Sequence, residues 1–396
     1  MSQKAFTASK PQNSIMQLVE QFKNDKHINK MNLTVGVYMD QYGNCPILKS
    51  VKEAEEHCLE IEKSKVTFNM IGAKSYHEAV KQLLFPNFSK AEKENIQVIQ
   101  TVGSCGALYL VGQLINKIKP TASLWLSNPT WENHRPLLES HVSEICEYRY
   151  EPLDKENLCV QKIMEDLQYS KAGDFVLFHA CCHNPTGMDP TINQWQELAK
   201  FCKNHELIPI FDFAYQGFKD TIQSDAEVLN IFREEVNSFI VCNSFSKNMG
   251  LYDERVGALT FVFDNQEEVD CWLQCAKSLI RSSYSTPPIH GSSVVSCIIN
   301  DSERFQLWQA EVDNMRKGLI QRRTEFFQKL DDVGMKERIL NYENQNGMFA
   351  CLNISLEQIE YLRNSQGIYI LNSGRISIAS LNSQKISKFC EAICNI

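Results

Sequence analysis

Lys247 stands just after the apolar run Phe-Ile-Val-Cys at 239–242, which reads as a buried parallel strand. A lysine at the mouth of such a strand is partly desolvated, which lowers its pKa and frees a neutral, nucleophilic amine. Ser244 and Ser246 flank it, and Arg255 follows eight positions later. A small hydroxyl and a fixed, forked cation are what a phosphate group needs. On this stretch alone, a surface lysine in a loop fits equally well. Upstream, the run 208–218 shifts the balance: an apolar strand ends in Asp212, and Tyr215 follows three residues on. A carboxylate there can keep a pyridinium nitrogen protonated, and a phenol can reach a neighbouring ring oxygen. Together these groups describe a grip on pyridoxal phosphate, held through a lysine Schiff base.

Further blocks surround these residues. They are Asn-Leu-Thr-Val-Gly-Val-Tyr at 32–38, Gln-Thr-Val-Gly at 100–103, Thr-Trp-Glu-Asn-His at 130–134 and His-Ala-Cys-Cys-His-Asn-Pro-Thr-Gly at 179–187. Downstream come Ser244 to Gly257, Tyr-Ser-Thr-Pro-Pro at 284–288 and Gly-Arg-Ile-Ser at 374–377. In this order, across nearly the whole chain, they resemble the class I, fold type I aminotransferases, and within them the aspartate aminotransferase group.

The resemblance implies a role for each matched position. Lys247 would anchor the cofactor and then move a proton between Cα of the substrate and C4′ of the cofactor. Asp212 would face the ring nitrogen, with His134 behind it. Tyr215 and Asn184 would bind the 3′-oxygen, and Trp131 would stack on the ring. Ser104, Cys105, Ser244 and Arg255 would surround the phosphate. Arg375 would clamp the substrate α-carboxylate, a forked geometry that lysine cannot reproduce. Arg281 would read the distal carboxylate across a homodimer interface; without the resemblance it is a helix-terminal arginine complementing the dipole. Gly36 is either a point where backbone approaches a ligand closely or a plain turn. The chain departs from the family in three places. Phe68 replaces a tyrosine that contacts the neighbouring subunit's phosphate, with Tyr76 as a candidate substitute; Ser104-Cys105 replaces Gly-Thr; Thr286 replaces an asparagine.

The elements that must position these groups follow from periodicity. Short apolar strands are expected at 96–101, 123–126, 174–179, 207–211, 238–242 and 256–263, with a strand-like segment at 33–38. Helices are expected at 15–22, 107–118, 156–168, 192–204, 267–280 and, without an internal proline, 302–330. The last part alternates 347–353, helix 356–363, 368–371, 375–378 and helix 383–393. This predicts an α/β fold: a large cofactor-binding domain (46–315) whose mostly parallel sheet is covered by helices, plus a smaller α+β domain formed by both chain ends (13–45 and 316–396). Residues 1–12 would form an arm lying across a partner subunit. Functional groups fall just after strand C-termini, where open α/β sheets bind ligands.

Composition bounds the alternatives. The 396 residues suffice for two domains. A net charge of −8 argues against nucleic acid or an anionic membrane as the main partner, so anionic substrates must be drawn in by local arginines. The 15 cysteines include no CxxC pair and suggest reduced thiols in a cytoplasmic protein. No metal site is expected, because Cys181 and Cys182 in the 179–183 cluster would face opposite ways on a strand. No run of about 18 apolar residues exists to span a membrane. The resemblance to the aspartate aminotransferase group implies transamination between L-aspartate and 2-oxoglutarate, giving oxaloacetate and L-glutamate. The alternatives are an aromatic or broad-specificity aminotransferase, and an inactive binding protein on the same fold.

Overall fold

The computed structural model describes residues 15–66, 69–89, 92–93, 95–153, 157–339 and 344–396. Among these the strands are β1 (Met31–Asn32), β2 (Ile96–Val102), β3 (Ser123–Asn128), β4 (Glu144–Arg149), β5 (Phe175–His179), β6 (Ile208–Phe213), β7 (Ser238–Ser244), β8 (Val256–Phe263), β9 (Phe349–Cys351), β10 (Ile368–Tyr369) and β11 (Arg375–Ser377). Seven of them form one sheet in the order β2-β8-β7-β6-β5-β3-β4. The pairings among β7, β6, β5, β3 and β4 are parallel, while β8 runs antiparallel to both of its neighbours. Every residue of β5, β6 and β8 is buried, which is why these strands read as continuous apolar runs without alternation. Helices cover both faces and supply two apolar cores, one containing Phe211, Phe232 and Trp308, the other Leu108, Trp272 and Ile280.

The reversed direction of β8 matters for function. Its first residue, Val256, pairs with the last residue of β2, Val102, and Gly257 pairs with Ser244 at the end of β7. The start of β8 therefore lies at the same sheet edge as the C-termini of the parallel strands. Arg255, Gly103, Ser244, Asp212 and His179 converge there although they span more than a hundred residues of chain.

A third core packs Met31 and Leu33 against Phe326, Leu330, Leu352, Ile376 and Phe389. Around it β1 pairs in parallel with β10, and β9 pairs antiparallel with β11. The 31-residue helix Ser302–Asp332 runs from the large-sheet core, through Trp308 and Val312, to this one, through Phe326 and Leu330.

Most expected elements are present, with shifted ends. The helix expected from 107 begins at Gly103, because its first turn is written in glycine, serine and cysteine and reads as loop. The helix expected from 156 begins at Val160, since Leu158 is bridged to Pro152. The segment 33–38 is not a strand beyond the pairing at its start. Its polar backbone groups serve side chains instead: the Thr34 carbonyl accepts from Arg375 and the Tyr38 amide donates to the Tyr252 hydroxyl. Strand β4 and the helices Lys49–Ile61 and Lys74–Leu84 were not foreseen.

Candidate active site

The site is built from strand ends and the turns that follow them. At the end of β6, Asp212 is buried, with one carboxylate oxygen 3.2 Å from His134 Nε2. Because a carboxylate only accepts, Nε2 carries the proton. Nδ1 lies 2.7 Å from the Thr130 hydroxyl. Burial pushes the Asp212 carboxyl up, but the His134 hydrogen bond and nearby positive charge outweigh it and hold the group below its usual range. The other oxygen, Oδ1, is buried without a partner. An ionised oxygen left bare in the interior costs several kcal/mol in general, so it calls for a cationic or N–H partner.

Lys247, in the turn after β7, is half-buried with its amine 5.2 Å from the centre of the Tyr215 ring. Burial pushes its pKa down, Asp212 opposes, and Arg255 and Arg375 reinforce the decrease. Tyr215 is held neutral, because burial raises its phenol further than Arg375 lowers it. Its hydroxyl is 3.5 Å from the Asn184 amide nitrogen, and Asn184 Oδ1 accepts from Arg375 Nη1 at 3.1 Å. Arg375 also donates from Nη2 to the Thr34 carbonyl at 2.6 Å and lies over the Phe349 ring at 4.2 Å. Its Nε is buried and unpartnered. The half-buried Trp131 packs edge-on to His134.

Arg255 closes the opposite end, reaching Ser246 Oγ at 3.4 Å and the Tyr252 carbonyl at 2.8 Å. Gly103 opens the helix Gly103–Ile118 with φ of +65°, and a Cβ there would lie 2.6 Å from Arg255 Nη2. Only glycine lets the guanidinium sit against that helix N-terminus, whose free N–H groups and dipole favour an anion. Ser104 and Cys105 occupy the same first turn. Burial raises the Cys105 thiol, opposed by Arg255, so it stays a weak neutral donor.

Gly36, Ser104, Cys105, Trp131, Asn184, Asp212, Tyr215, Ser244, Lys247, Arg255 and Arg375 all line one cavity of about 210 Å³. Gly36 is there for close approach, since a Cβ would meet the Phe349 ring at 2.6 Å. Sequence reasoning did not single out Tyr252 or Phe349, which also line the cavity; Phe349 carried no motif to find it by. Arg281 does not join them. It is exposed in the last turn of the helix Gln266–Ser283, donates to Ser285 Oγ at 2.6 Å and lines a separate hollow with Met70 and Thr286. Phe68 lies outside the described residues. Tyr76 cannot replace it: the ring is fully buried and its hydroxyl donates to the Gly257 carbonyl at 2.8 Å.

The 179–183 cluster also differs from expectation, since β5 ends at His179 and both cysteines lie in the loop beyond. His183 is engaged by Ser127 and Thr186 and stacks on Tyr150. His134, His179 and Asp212 do bring ligand atoms within 4.8 Å of one another. Within this group His134 is bonded to Asp212 and Thr130, while both nitrogens of His179 are buried without a partner.

These residues fit pyridoxal phosphate: a bare carboxylate oxygen for a ring N–H, an amine, and a cation at a helix N-terminus for phosphate. Residues 28–393 match the family described as aminotransferase class I and II. The chain belongs to this family. The aspartate aminotransferase of Haemophilus influenzae is 39% identical over 387 residues, covering 98% of both chains. An aromatic-amino-acid aminotransferase of Pseudomonas aeruginosa is 36% identical, over 100% of this chain and 99% of the other. Among solved structures, an aromatic-amino-acid aminotransferase from Burkholderia pseudomallei, covalently bound to pyridoxal phosphate, superposes with a TM-score of 0.93 at 32% identity, covering 100% of this chain and 99% of the other. Cytoplasmic aspartate aminotransferase from Saccharomyces cerevisiae gives 0.91 at 27%, covering 98% and 96%. Among the described residues no helix is long and apolar enough to cross a membrane.

Proposed function

We propose that the chain is a pyridoxal-phosphate-dependent transaminase that exchanges the amino group between L-aspartate and 2-oxoglutarate. The observation that carries this reading is the buried, unpartnered Asp212 Oδ1 in one cavity with a desolvated lysine and two arginines. When bound, the cofactor ring supplies an electron sink for the charge released at Cα. Lys247 would be the covalent anchor and, when free, would carry the proton from Cα. Its depressed pKa favours the neutral amine this requires. Asp212, oriented by His134, keeps the ring nitrogen protonated. Tyr215 and Asn184 would hold the 3′-oxygen, and Trp131 would cover the ring face. Ser104, Cys105, Ser244, Ser246 and Arg255 would surround the phosphate at the helix N-terminus, and Phe68, by the resemblance, stands where a tyrosine would reach the neighbouring subunit's phosphate.

Arg375 takes the α-carboxylate through its unpartnered Nε, with Gly36, Trp131 and Asn184 around it. Arg281 takes the distal carboxylate in the partner subunit's cavity. Its exposed position outside its own cavity supports a homodimer with shared sites. Residues 46–315 form the cofactor domain, and 13–45 with 316–396 a smaller domain; the separate core around Phe326 and Ile376 supports that division. A cytoplasmic location is supported by 15 cysteines that are all free thiols. Aromatic or broad specificity is the second reading, favoured by the 0.93 TM-score to an aromatic-amino-acid enzyme. Assaying aspartate, glutamate, tyrosine and phenylalanine against 2-oxoglutarate decides between them. Aspartate turning over fastest upholds the first reading, and aromatic substrates turning over faster upholds the second.

A further inference from the structure

Glu132 follows Trp131 directly, and its carboxylate stands 3.7 Å from Arg375 Nη1. It is the only carboxylate among the described residues within ion-pair distance of that arginine. The two partners differ sharply in environment: the Arg375 side chain is 2% exposed and that of Glu132 is 45% exposed. A buried guanidinium needs a counter-charge, and among the described residues Glu132 supplies one. Yet it is held loosely. At 3.7 Å it is beyond hydrogen-bond range, Nη1 is committed to Asn184 Oδ1, and no hydrogen bond among the described residues fixes the Glu132 carboxylate.

We propose that Glu132 is a displaceable counter-ion that sets the affinity of the site for carboxylates. In the substrate-free enzyme it balances the charge of Arg375. An incoming carboxylate takes the unpartnered Nε donor and completes the neutralisation. Glu132 then faces a like charge across one guanidinium and turns toward solvent. Every carboxylate ligand must offset that repulsion, so the residue weakens binding and hastens release. Because Glu132 sits at the α-carboxylate clamp, the effect is the same for ligands with one carboxylate or two. This rests on the reading of Arg375 given above.

The test uses two unreactive probes, succinate and 3-phenylpropionate, titrated calorimetrically into the holoenzyme at low ionic strength. Glu132→Gln keeps the shape and removes the charge. It is expected to bind both probes about three- to tenfold more tightly, the range for a half-exposed charge beside a buried one. The gain should shrink as salt is raised, since Glu132 faces solvent. Damage to the site would weaken binding, so a gain in affinity cannot arise from misfolding. Glu132→Asp retains the charge and should fall between parent and Gln. Unchanged or weaker binding in Glu132→Gln, tightening of succinate alone, or an Asp variant tighter than the Gln variant would overturn the proposal. Arg375→Leu separates the two levels. If it leaves 3-phenylpropionate binding intact, the clamp reading itself fails and this inference with it; if it abolishes binding while Glu132→Gln changes nothing, only the inference fails.

Discussion

Restoring two hydroxyls near the phosphate site should tighten the hold on pyridoxal phosphate. Cys105 lies in the first turn of the helix Gly103–Ile118, lines the cavity beside Arg255, and presents a thiol that burial keeps protonated. A thiol is a weak donor, and Phe68 offers none. Tyr76, the phenol the sequence offered as a substitute, is committed to the Gly257 carbonyl inside the core. On the proposed reading the phosphate would then rest on Arg255, the serine hydroxyls and the helix N-terminus. A hydrogen bond to a charged group contributes about 1.5–3 kcal/mol, so each hydroxyl gained should tighten the cofactor by roughly ten- to a hundredfold. Cys105→Thr and the double variant with Phe68→Tyr are compared with the parent by following cofactor loss on dilution into a scavenging apoenzyme. The expected order of dissociation rate is parent, single, double, with the preference for aspartate over phenylalanine unchanged. Equal rates in all three would refute the reasoning, because another donor would already fill the gap.

Three further outcomes follow from the geometry. Lys247→Ala should retain cofactor through the phosphate and ring contacts but lose about 10²–10⁴-fold in turnover or more, and a tenth of the parent activity remaining would contradict its role. Arg281→Leu should cost roughly 2–5 kcal/mol in kcat/KM for aspartate, as removing one partner of a buried charge pair does, and far less for phenylalanine; equal losses for the two would count against it. His179 is pushed down to about 3 by burial, reinforced by the nearby His134. Below its ordinary value near 6.5 the unfolded chain takes up a proton that the folded chain refuses, so this group's stabilisation, complete above 6.5, is lost as pH falls toward 3, by roughly 5 kcal/mol at most. Urea unfolding of the apoprotein between pH 7 and 4 should therefore show a steeper acid loss for the parent than for His179→Gln, and parallel curves would contradict it.

The catalytic end of the sheet was legible because its residues sit at strand ends in short motifs. Lys247 after 239–242 and Asp212 after 208–211 announce themselves through continuous apolar runs that only fully buried strands carry. Strand β4 was not legible, since Glu144, Glu147 and Arg149 interrupt its pattern, as an edge strand allows. The helix Lys49–Ile61 hides its buried face behind the small residues Ser50, Ala54 and Cys58. The extended 33–38 segment looked like a strand because its residues suit one, whereas its partners are side chains distant in sequence. The approach of Glu132 to Arg375, like that of Phe349, depends on how the core around Ile376 packs against the large sheet. No local spacing encodes that.

The most direct test of the account is where the cofactor is attached. Holoenzyme reduced with borohydride, digested and mapped by mass spectrometry should carry the pyridoxyl group on Lys247. Prior addition of excess L-aspartate should remove that label by discharging the lysine. A label on any other lysine, no covalent label at all, or a Lys247 label indifferent to aspartate would contradict it.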